Sequence, residues 1–156
     1  MAKPIGLGAV PILLNDFYQR GLAGFVLLGA AIADQQLQDA ILSKMRKLTR
    51  KETDELFTGF GPLGSLSAKT AMAYALGLMD ARTRDRLHGI RRIRNRFAHA
   101  EELMNFKHPD IKALMAKLPQ DAPSEKREEH VYMWHLGEVE THLVATAGPQ
   151  IRRSGA

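Results

Sequence analysis

An all-α fold, a compact antiparallel bundle of about five helices joined by short connections, is what the sequence predicts. Three observations carry this. No stretch alternates apolar and polar residues as a half-buried strand does. Apolar residues recur at helical spacing, most clearly at Leu87, Ile90, Ile93 and Phe97. Clusters of glycine and proline, such as GFGP at 59–62 and NFKHPD at 105–110, cut the chain into helix-length pieces. At 156 residues the chain suits a single domain with a real core. We expect tails at 1–11 and 149–156 around one helical domain at 12–148.

The first helix is expected from about Asn15 to Lys47. Within it, GLAGFVLLGAAIA (Gly21–Ala33) is apolar throughout. A spanning helix needs roughly 20 such residues, so this run is too short for a membrane and reads as a buried core helix. About 20 residues precede it, including Asp16, where a signal peptide would carry a short basic stretch. TRKETDELF is polar, and Thr53 or Asp54 can cap a short helix there. GFGPLGSLS (Gly59–Ser67) is a loop. Ser65 or Ser67 then caps a helix running from Ala68 to about Leu78. Asp80 caps the next one. Asp110 starts another short helix. The last runs from about Ser124 to Thr146 and is ended by Gly148-Pro149. Tyr132 and Trp134 in it are core or interface residues, and no aromatic platform for base stacking is evident.

The charge is localised. Arg82 to Arg96 holds seven arginines against one acid, Asp85, so that the rest of a chain of net charge +5 is nearly balanced. A cluster of this kind can make a phosphate-binding surface. On a wheel of 100° per residue with Leu87 at zero, Ile93, Phe97 and Ile90 fall at about 240°, 280° and 300°, an arc that must face the core. Arg91, Arg84, Asn95, His88 and His99 follow a polar stripe opposite it, from about 40° to 120°. Arg94 falls at about 340°, inside the apolar arc, so it must snorkel, meet an acid or sit between subunits.

Arg94-Asn95-x-x-x-His99 resembles the R-[polar]-x-x-x-H motif of HEPN domains, helical bundles of which many are dimeric, metal-independent endoribonucleases. More widely, GFGPLGSLSAKTAMAYALGL (59–78), IRRIRNRFAHA (90–100) and NFKHPDI (105–111), in that order, resemble the mannitol operon repressor (MtlR-like) family over roughly residues 15–115. The resemblance implies a HEPN-like fold and a regulatory role through RNA binding or cleavage at a homodimer cleft, with Arg94, Asn95 and His99 as the catalytic set and no cofactor or metal. His99 would be the acid or base, Arg94 would offset phosphorane charge and Asn95 would orient. Arg84, His88, Arg91 and Lys69 would bind nucleic acid or another anion. The alternative is a non-catalytic transcriptional regulator that works through a protein partner.

Other signals are weaker. A helix-turn-helix through Ala73, Gly77 and Leu78 needs apolar residues near 83 and 86, which are Thr83 and Arg86, so DNA binding of that kind is not expected. His135, Glu138 and His142 share a helix face, but no second carboxylate-histidine helix accompanies them as a di-metal bundle requires. The loop at 59–69 lacks P-loop spacing and reads chiefly as a tight turn packed on the arginine helix. No cysteine is present, which fits the cytoplasm.

Overall fold

The computed structural model describes residues 10–124 and 127–147. Among them are six helices and no strand: α1 Val10–Leu42, α2 Arg50–Phe57, α3 Leu66–Ala75, α4 Ala81–Ala98, α5 Pro109–Met115 and α6 Glu128–Ala147. The all-α bundle is as expected, with the polar 50–57 stretch forming a helix of its own. The expected tail at 1–11 is overturned at its end, because Val10 and Pro11 already belong to α1; residues 1–9, the tail at 149–156 and the Gly148-Pro149 stop lie outside the described residues.

Local chemistry explains most boundaries. α2 starts earlier than expected because Thr49, not Thr53 or Asp54, is its cap. The Thr49 side chain accepts from Glu52 N–H, and the Glu52 carboxylate accepts from Thr49 N–H at 2.7 Å, a reciprocal capping box. Ser65 caps α3 through Ala68 N–H at 3.1 Å. α3 ends before Leu78 because Gly77 adopts φ +71, a left-handed conformation open to glycine, and Leu78 N–H closes back on Ala73 C=O. Asp80 caps α4 through Thr83 N–H at 2.7 Å. His108, not Asp110, is the cap of α5: its Nδ1 accepts from Asp110 N–H, and Pro109 opens the helix.

α1 and α4 are the hubs. α1 packs on α3, α4 and α6, while α4 also touches α3, α5 and α6. The predicted arc of α4 faces inward: Leu87, Ile90 and Ile93 are fully buried and Phe97 nearly so. Phe97, Phe106 and Tyr132 form a chain of tilted rings with centroids 5.5 Å apart, pinning the 105–110 segment between α4 and α6.

One expectation needs correction. The apolar run at 21–33 is not buried all round. Val26, Ala30 and Ala33 face the core, but Phe25, Leu28 and Ile32 stand in solvent, Leu28 at 61% exposure. α1 has neighbours on one side only, so its second apolar face is left uncovered. No helix among the described residues is long and apolar enough to cross a membrane.

Candidate functional site

The site is built where α4 passes the loop that opens α3. The loop is braced by its own backbone: Gly61 N–H bonds Thr58 C=O, Leu63 N–H bonds Leu56 C=O and Gly64 N–H bonds Gly61 C=O. Gly64 lies so close to the Gly59 carbonyl oxygen that a Cβ there would collide with it. Leu63 is driven into the core while Phe60, at the tip, is fully exposed.

A cleft of about 530 Å³ opens between this loop, α1 and α4. Arg91, Arg94, Asn95, Asp34, Ser65 and Ser67 contribute to its walls. Arg94 does not meet an acid. Its guanidinium swings out of the apolar arc into solvent and donates to Asn95 Oδ1 at 3.0 Å. Arg91 is half-buried, and its Nε is sealed from water with no hydrogen-bond partner. Lys69 is buried and paired with Asp34 Oδ2 at 2.7 Å, while Asp34 Oδ1 is buried and unpartnered.

The remaining predicted residues do not join this cleft. His99 caps the C-terminus of α4, its N–H bonding Asn95 C=O at 3.1 Å, and its exposed ring opens on a separate recess with Arg96, Glu101 and Glu102. Within one chain, therefore, Arg94 and Asn95 are brought together and His99 is held apart. Arg84 packs its guanidinium over the Tyr74 ring and pairs with Asp85. His88 is half-buried. Burial first, then the charges of Arg91, Arg92 and Arg84, holds its pKa below the usual histidine value.

A second polar centre was missed by sequence reasoning. Arg86 is buried in the core side of α4, where its guanidinium pairs with Asp121, its Nε–H donates to His135 Nδ1 at 3.3 Å, and it lies 5.2 Å from the Trp134 ring centre. Burial, reinforced by the Arg86 charge, pushes the His135 pKa down to about 4, so the ring is neutral and can accept. The wheel did carry a signal: Arg86 falls at about 260°, deeper in the apolar arc than Arg94. Sequence reasoning also gave no weight to Phe60 in the loop. Glu138 and His142 border a recess beside Asp121, but among the described residues no three histidine, aspartate or glutamate side chains are grouped as a metal site.

No family model matches the chain. No curated protein matches it either. Its fold is similar to that of a chain in the X-ray structure of the MtlR–HPr complex from Escherichia coli, with a TM-score of 0.52 and 18% identity over 80% of this chain and 81% of that one. The fold is thus MtlR-like; at that identity the likeness extends to architecture alone.

Proposed function

We propose that this chain is a non-catalytic regulatory module that acts in the cytoplasm by binding a protein partner, without direct DNA contact. The observation that carries this reading is Phe60. A phenylalanine ring held fully in water on a loop braced by three backbone hydrogen bonds costs little ordering entropy when it enters a partner's pocket, and buried aromatic anchors dominate such interfaces. Supporting it, the similar fold comes from a complex in which MtlR is bound to HPr. We take HPr as the first partner to test. Titration calorimetry should give a saturable complex with purified HPr. Phe60→Ala should weaken it by at least about tenfold while leaving the melting temperature unchanged. No complex, or full affinity in the variant, overturns the reading.

A HEPN-like ribonuclease remains the second reading, favoured by one observation: Arg94 and Asn95 are joined at the mouth of a cationic cleft. Because His99 faces a different recess, catalysis would need a second copy to bring its His99 to this cleft. The uncovered apolar face of α1 offers a surface for such a homodimer. The enzyme would cut RNA in EDTA, leave a cyclic phosphate and lose activity in His99→Ala. A folded protein that never cuts RNA, or that runs only as a monomer, removes it.

A further inference from the structure

The cleft between α1, the α3 loop and α4 combines three features that the partner reading does not use. Two guanidinium groups, Arg91 and Arg94, line it, and neither has a carboxylate partner among the described residues. The one acid present, Asp34, is already offset by Lys69, so the uncompensated charge is cationic. Two polar atoms in these walls, Arg91 Nε and Asp34 Oδ1, are shut off from water with no hydrogen-bond partner. One needs an acceptor and the other needs a donor. Such orphans are costly in a folded protein unless an internal water or a small shift of the wall completes them.

The donors are grouped. Arg91 and Arg94 are three residues apart on α4, one turn of the same face. Asn95, whose oxygen is taken by Arg94, keeps its amide N–H groups for another acceptor. The first N–H groups of α3, at Leu66 and Ser67, stand at the same cleft, since Ser65 caps only Ala68. This set suits a compact dianion held by bidentate arginine contacts. Asp34, whose side chain is 34% exposed in these walls, suits a hydroxyl donor. The volume, about 530 Å³, lies within the range of small-molecule sites, and its walls offer no aromatic ring on which a base could stack.

We propose that this cleft binds a small phosphate monoester that also carries a free hydroxyl group, the phosphate on Arg91 and Arg94 and the hydroxyl donating to Asp34. The site is independent of Phe60, so it stands whether or not the partner reading does. The probes are glycerol phosphate, inorganic phosphate and glycerol, titrated into the full chain by calorimetry and by thermal shift. Glycerol phosphate should bind saturably and raise the melting temperature. Inorganic phosphate should bind more weakly, glycerol should not bind, and Arg91→Met and Arg94→Met should each cut affinity by at least about tenfold. Arg94 is exposed, so its variant keeps the test informative if Arg91→Met folds poorly. Phe60→Ala should bind glycerol phosphate normally. Absence of saturable binding, binding unchanged in both arginine variants, or an oligouridylate that occupies the cleft where glycerol phosphate does not, each overturns the proposal.

Discussion

Arg86 and Arg91 stand little more than a turn apart on α4, and their surroundings are opposite. Arg86 is buried, yet its guanidinium is answered on several sides: Asp121 supplies charge, His135 Nδ1 accepts from Nε–H and the Trp134 ring covers a face. Arg91 is only half-buried, yet its Nε is sealed without a partner, and no ion pair reaches it among the described residues. Burial alone therefore does not say what an arginine is for. Counter-groups supplied by the fold make a brace. Counter-groups left out make a binding surface, because a guanidinium with unmet donors gains most from an added anion.

The sharpest way to break this comparison is to remove the brace. Arg86→Met leaves His135 Nδ1 without a donor in the core and leaves Asp121 with only Arg82, at 3.3 Å, for company. Because Asp121 is partly exposed, water recovers some of the loss. We expect about 2–3 kcal/mol of lost stability in urea unfolding at neutral pH. A loss under about 1 kcal/mol would mean that the Arg86 cluster is ornamental and that the contrast with Arg91 is false.

The next effect is a pH dependence. His135 has its pKa pushed down to about 4 from an ordinary 6.5. Between these values the unfolded chain takes up a proton that the folded chain refuses. The stabilisation is therefore complete above pH 6.5 and is lost as pH falls towards 4. The slope should reach about 1.4 kcal/mol per pH unit from this group alone. His135→Gln, which keeps an acceptor for Arg86, should flatten that part of the profile. Some slope should remain, since the pKa of His88 is displaced in the same direction. Chemical denaturation at a series of pH values reads both, and an unchanged slope in His135→Gln would place the proton elsewhere.

What could be read from the sequence divides along the same line between local and distant partners. Asp80 and Ser65 were legible as caps because each acts on an amide three residues on. Thr49 was passed over although Glu52 stands at the reciprocal position. The arc of Leu87, Ile90, Ile93 and Phe97 followed from periodicity alone. Arg94 and Arg86 were harder. The wheel fixes where a Cα lies, but a long side chain can swing out of its sector, as Arg94 does. Arg86 stays in because Asp121 reaches it from 35 residues away, in a polar linker whose path no local pattern sets. α1 fails for a related reason. Both its faces are apolar, and only the placement of α3, α4 and α6 decides that Val26 is buried and Leu28 is not.

The smallest expected effect sharpens the comparison most. Arg91→Met is the same substitution as Arg86→Met, on the same helix, but it strands no partner. Its stability should stay within about 0.5 kcal/mol of the parent. What should move is His88. Arg91 is the foremost of the charges that hold the His88 pKa down, so removing it should raise that pKa towards the ordinary value, as followed by NMR titration. An anion seated on Arg91 should act in the same direction, because it offsets the same charge. If Arg91→Met instead unfolds like Arg86→Met, Arg91 is a second brace, and its guanidinium serves the core instead of the cleft. If stability holds and His88 responds both to the substitution and to phosphate, the two arginines have been separated by function, with the helix and the residue type held constant.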